Sequence, residues 1–118
     1  MSKNYLDITK DISSNLKAFR QSQSDVMQAF SALAASATKD GALSKKTKEL
    51  IALALGIAAR CDGCIGFHTK ALVDLGATQE ELEETLSMAV YMGGGPSLMY
   101  AADALASFAQ FADAKNAS

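Results

Sequence analysis

The stretch "KKTKELIALALGIAARCDGCIGFH", residues 45–68, decides how this chain reads. Ser44 stands just ahead of it as a candidate N-cap, and no period-2 alternation bounded by turn residues interrupts the run. The first part is apolar nearly all round beyond Leu50, which predicts a central, buried helix ending before Arg60. Its starting lysines oppose the helix dipole, and Glu49 offsets them only in part. The second part predicts another helix, beginning near Cys61 and ending at Gly76, a residue suited to a left-handed C-terminal cap.

Outward from this pair, helical spacing recurs. Tyr5, Ile8, Ile12, Leu16 and Phe19 form one amphipathic stripe, and Val26, Phe30, Leu33 and Ala37 form a second, with Ser24 as its expected N-cap. "TKDGA" predicts a turn with Gly41 as the breaker. Downstream, Thr78 and Glu81 make a capping box for a helix running through Leu82, Leu86, Ala89 and Val90 to the glycines at 93–95. Pro96 opens a last helix, whose expected apolar face is Leu98, Ala101, Ala102, Leu105, Phe108 and Phe111, with "DAKNAS" as a fraying tail. Met88, Met92 and Met99 read as core filler. The expectation is an all-α bundle of about six helices forming a single domain over residues 1–118.

Composition narrows the function classes. The chain is 49% hydrophobic, 20% charged and carries a net charge of −2, so nothing electrostatic favours nucleic acid or an anionic membrane. The N-terminus lacks the apolar core of a signal peptide, and Leu50 to Ala59 is about half a bilayer span. A cytoplasmic protein is expected, in which two cysteines at CxxC spacing point to catalysis or metal binding. Ala-rich helices such as "QAFSALAASA" and "YAADALASFAQFA" suit close packing, and a chain this short has surplus apolar faces that oligomerisation would cover.

Cys61, Cys64 and His68 hold all the thiol and imidazole chemistry of the chain. On a helix they share one face, three and four positions apart. Unpaired amides and the dipole at a helix start stabilise thiolates, and thiols so placed titrate at about 3.5–7.5 rather than about 8.5. Gly63 and Gly66 leave little bulk around the sulfurs, and a disulfide between positions i and i+3 is sterically feasible there. His68 can exchange a proton near neutral pH, and a carboxylate touching it would orient the ring. Glu49 is the best candidate, although antiparallel-hairpin arithmetic puts it roughly 16 Å from the turn and His68 about 12 Å, a mismatch of one helical turn. First-turn pairing of Glu49 with Lys45 or Lys46 is the alternative. The spacing alone allows a redox centre, a zinc site completed by Cys61, Cys64, His68 and Glu49, or a helix terminus that merely carries sulfur.

Glu49 to His68, a Glu twelve residues before CxxCxxxH, together with "GATQEELEE" and the Gly-rich stop, resembles the alkylhydroperoxidase D-like branch of the carboxymuconolactone decarboxylase superfamily. The resemblance covers roughly residues 40–106 and leaves the N-terminal helices outside. It implies an all-helical trimer or hexamer acting as a thiol peroxidase with a redox-active disulfide, without cofactor or metal. By the same resemblance Cys64 attacks the hydroperoxide, Cys61 resolves the product, and Glu49 and His68 relay protons. A hydroperoxide and a dithiol or protein reductant are the implied partners. Some members carry a second His between the cysteines, where this chain has Asp62-Gly63, so one proton relay is missing here. The superfamily's lactone decarboxylases generally lack the CxxC pair. A decarboxylase-type enzyme and a non-catalytic zinc-binding or redox-switch protein are the alternatives.

Overall fold

The structure, a computed structural model, describes residues 2–117. Those residues form seven helices and no strand: α1 (Tyr5–Asn15), α2 (Lys17–Ser22), α3 (Ser24–Thr38), α4 (Lys45–Ala58), α5 (Asp62–Asp74), α6 (Gln79–Gly93) and α7 (Gly95–Ala117). The extra helix arises because the first amphipathic stripe breaks at Leu16. Ser13, Ser14 and Asn15 precede the break, residues that compete with the helical backbone for its hydrogen bonds, and Arg20 donates to the Ser13 carbonyl across it. Burial along the stripe fades accordingly, from a fully buried Tyr5 to an exposed Phe19.

α5 lies at the centre, packed on α4, α7 and α1, while α6 closes the bundle against α7 and α4. Leu53 and Ile57 of α4 meet Ile65 and Leu72 of α5, Leu82, Leu86 and Ala89 of α6, and Ala101, Ala104, Phe108 and Phe111 of α7. Each fully buried Leu or Ile contributes about 1.5–3 kcal/mol. Within this apolar core the hydroxyls of Thr69 and Ser107 share a 2.6 Å hydrogen bond, and Thr69 also donates to the Ile65 carbonyl. The pair ties α5 to α7 and leaves neither oxygen unsatisfied.

The capping expectations hold where a side chain can reach an amide. Ser44 accepts from Thr47 N, and Thr78 and Glu81 form the reciprocal capping box of α6. Gly76 adopts φ +75 after α5, donating to the Val73 carbonyl while Ala77 donates to that of Leu72, the paired bonds of a Schellman stop. Ser24 does not cap; it is the first residue of α3, which starts after Gln23 with no side-chain cap.

Four expectations about faces and ends are corrected. α4, expected to be the central helix, buries Glu49, Leu53, Gly56 and Ile57 but leaves Ile51 and Leu55 exposed, so it is not buried all round. α7 buries Ser97, Ala101, Ala104, Ser107, Phe108 and Phe111 and leaves Leu98, Ala102 and Leu105 at the surface, because small residues at 97, 101, 104 and 107 let α7 approach its neighbours. The tail does not fray before Ala117, and Lys115 reaches Asp74 at 3.7 Å; Ser118 lies outside the described residues. Met88, Met92 and Met99 are exposed rather than core filler. Among the described residues no helix is long and apolar enough to cross a membrane.

Candidate active site

The turn from α4 into α5 sets the site. Arg60 takes a left-handed conformation, φ 58, and its amide donates to the Ile57 carbonyl while Cys61 N donates to that of Gly56. This is a second Schellman stop, built on an arginine where glycine would be unstrained. The chain leaves it extended at Cys61, which is the N-cap of α5: its sulfur accepts the Cys64 amide N–H at 3.1 Å, the place a serine hydroxyl would take. Cys64 sits one turn inside, and the two sulfurs are joined in a disulfide across a Cα–Cα distance of 5.2 Å.

Helix packing at this point depends on glycine. A Cβ on Gly56 would stand 2.8 Å from Cys64 Cβ, so only a hydrogen there lets α4 and α5 meet at the sulfur pair. The sequence pattern does not single out Gly56; its one signal is an isolated glycine in an otherwise apolar helix. Gly63 and Gly66, expected to leave little bulk around the sulfurs, also admit α1: a Cβ on Gly63 would meet Ile12, and one on Gly66 would meet Thr9 and Tyr5.

Glu49 and His68 come together. His68 Nδ1 lies 2.9 Å from Glu49 Oε1, with the Glu49 side chain only 6% exposed and the imidazole partly open to solvent. The one-turn mismatch of the hairpin arithmetic is closed by the two side chains. The ion pair Glu49 makes is with His68 and not with the first-turn lysines, of which Lys46 binds Glu81 of α6 at 2.8 Å. A carboxylate at Nδ1 holds the ring proton on that nitrogen, so Nε2 on the far side of the ring is the one left to take or return a proton.

The arrangement is therefore a dithiol–disulfide pair at a helix start, backed one turn further along the same helix by an imidazole anchored on a buried carboxylate. It can cycle two electrons at sulfur and move a proton at nitrogen. Among the described residues no three His, Cys, Asp or Glu side chains converge to hold a metal ion; the two sulfurs are bonded to each other.

Comparisons with known proteins bear on the fold and the family. A structure of a carboxymuconolactone decarboxylase family protein from Legionella pneumophila is 63% identical, superposes with a TM-score of 0.90, and pairs 92% of this chain with 96% of that one. A family member from Thermotoga maritima, described as a candidate for involvement in an antioxidative response, is 29% identical with a TM-score of 0.72, covering 78% of this chain and 95% of that one. An uncharacterized protein of Cupriavidus necator is 44% identical over 107 residues, 91% of each chain. The sequence profile of the carboxymuconolactone decarboxylase family matches residues 24–107, which takes in α3 and begins well before the expected start near residue 40. Fold, relatives and profile lead to one conclusion: the chain belongs to the carboxymuconolactone decarboxylase family.

Proposed function

We propose that this protein is a thiol-dependent peroxidase of the alkylhydroperoxidase D-like type, contained in one domain and acting in the cytoplasm. The observation that carries the reading is the Cys61–Cys64 disulfide on the same helix face as His68, whose ring is fixed by Glu49. The Thermotoga relative's suggested antioxidative part supports it.

In the proposed cycle the Cys64 thiolate attacks the terminal oxygen of an alkyl hydroperoxide. The O–O bond breaks, Cys64 becomes a sulfenic acid, and the alkoxide leaves as an alcohol with the proton that His68 Nε2 took when the Cys64 thiol ionised. Cys61 then attacks the Cys64 sulfur, forming the disulfide and releasing water. A dithiol reductant returns two electrons and two protons, becoming a disulfide itself. Glu49 holds His68 in the tautomer that the proton transfer needs. We also propose a homo-oligomer, a trimer or hexamer, as the working form.

Consumption of an organic hydroperoxide with a dithiol reductant tests this. Cys64→Ser should abolish turnover, and Cys61→Ser should react once and stall as a sulfenic acid that dimedone traps on Cys64. His68→Ala and Glu49→Gln should slow the first step by about 10²–10⁴-fold without removing it. Two free thiols persisting after stoichiometric hydroperoxide would sink the proposal. A dimedone adduct on Cys61 in the Cys64→Ser protein, with none on Cys64 in the reverse variant, would exchange the two roles. The family name supplies a second reading, lactone decarboxylation, for which Glu49 and His68 offer acid–base groups and the sulfurs have no part. Lactone turnover untouched by either Cys→Ser change would favour it.

A further inference from the structure

The residue between the two cysteines that follows Cys61 is an acid, and it is not left to solvent. Asp62 is the first residue of α5. Its carboxylate lies 3.0 Å from the ammonium of Lys3, which also donates to Asp103 of α7 at 2.8 Å and sits 5.2 Å from the centre of the Tyr100 ring. The segment carrying Lys3 is held from both ends. Gln110 accepts from the Tyr5 amide at 2.7 Å and donates to the Lys3 carbonyl at 2.9 Å, while the buried Tyr5 directs its hydroxyl to Asp62 at 3.4 Å. Residues 3–5 are thus clamped to α7 and laid against the start of the CxxC helix.

An acid in the first turn suits the helix dipole but competes with a thiolate for the same positive end. A reduced pair at Cys61 and Cys64 would carry its charge beside Asp62, with Glu49 of α4, the imidazole of His68 and Asp103 of α7 as the other ionisable groups near this end, and Arg60 exposed in the turn before it. We infer that Lys3 is a positioning residue for the sulfur chemistry: by pairing with Asp62 it removes the repulsion that this acid would exert on a thiolate at the start of α5. Asp103 and Asp62, in that order, hold the Lys3 ammonium well above the ordinary lysine range, so it stays charged wherever the thiols titrate. Burial, then the charges of Asp103 and Asp62, push the Tyr5 phenol up, so it stays a donor to Asp62.

The inference rests on the redox-active disulfide of the proposed function but not on peroxide as its oxidant. Reduction by dithiothreitol breaks the S–S bond, oxidises the dithiol to its cyclic disulfide, and leaves two thiols, one of which loses its proton to solvent as the thiolate forms. Removing Lys3 should weaken that ionised product; removing Asp62 should favour it. Lys3 and Asp62 side chains are each 42% exposed, so screening limits the effect to about two- to fivefold in thiolate fraction.

The experiment measures the thiol titration by ultraviolet thiolate absorbance, and the disulfide's equilibrium with dithiothreitol, in the full chain. Lys3→Met should raise the lower thiol pKa and shift the equilibrium toward the disulfide at pH values where the thiolate forms. Asp62→Asn should do the reverse, the double variant should return close to wild type, and Lys3→Arg should behave as wild type. The differences should shrink in high salt. Lys3→Met and Asp62→Asn moving the titration in the same direction would overturn the inference, as would a Lys3→Met protein with a lowered melting temperature and an unmoved titration. If the opposing shifts appear while wild type leaves hydroperoxide unconsumed, the peroxidase reading fails and the role of Lys3 stands.

Discussion

Gly56 shows how one missing carbon sets the site. Alanine there would gain about 1 kcal/mol of helix propensity. It would also drive a Cβ to 2.8 Å from Cys64 Cβ, with the Cys64 backbone close behind at 3.9–4.0 Å. The neighbour is not the loose end of a long side chain, so α4 and α5 must separate, and overpacking of this kind costs about 1–3 kcal/mol. Gly56→Ala should therefore lower stability by about 1 kcal/mol net in urea unfolding. It should also slow disulfide formation, because the helix carrying Cys64 is displaced. Gly41→Ala is the control: its Cβ would meet only Lys48 Nζ at 3.8 Å, and the change should stay within about 0.5 kcal/mol. Equal losses from the two substitutions would remove Gly56 from the account of the site. The chemistry-bearing residues around it, Cys61, Cys64, His68 and Glu49, are legible in the sequence because thiols and imidazoles are rare and their spacing puts them on one helix face. Gly56, Arg60 and Lys3 are not, since a helix crossing, a left-handed turn and a contact across 59 positions leave no local pattern.

Helix ends are more legible in this sequence than helix faces, and the reason is range. A cap is satisfied within three or four residues, so Ser44, Gly76 and the Thr78–Glu81 box can be recognised from neighbours alone. Which side of α7 is buried depends instead on what α5 and α6 present to it, and a stripe drawn through the largest residues misses Ala104 and Ser107. The box at α6 also has a pH signature. Glu81 bonds Lys46 of α4 and the Thr78 amide, and these two, Lys46 foremost, hold its carboxyl below the ordinary glutamate range. The folded protein thus binds this proton less readily than the unfolded chain. The stabilisation is present above the unfolded pKa and is lost as pH falls through the lowered folded value. Glu81→Gln keeps a side-chain oxygen for the capping box and removes the charge. Its stability deficit relative to wild type should be seen at neutral pH and should vanish on acidification. A deficit that stays constant across that range in thermal unfolding would show that the Glu81 charge contributes no pH-linked stability.

α3 raises a question that its own protomer does not answer. Its apolar stripe shows the same periodicity that locates the other helices, yet Val26, Phe30 and Leu33 are 56%, 64% and 64% exposed, and α3 touches only α2 and α4. A helix with a charge-poor face of this kind is stable when that face is covered. The exposed side chains Ile51 and Leu55 of α4 and Met88 of α6 line a second uncovered apolar surface on the same protomer. In the proposed oligomer, a second copy of the chain that brought the α3 stripe of one protomer onto the α4–α6 surface of another would cover both at once. Contacts of that kind join unlike surfaces, and they give a ring such as the proposed trimer or hexamer only when the rotation between protomers closes. Light scattering at micromolar concentration should give that mass. Phe30→Asp with Leu33→Asp should reduce it to the monomer while far-ultraviolet dichroism still reports a helical chain, because neither side chain belongs to the protomer's core. A monomeric wild type would overturn the assembly, and an oligomer that survives both charges would move the interface away from α3.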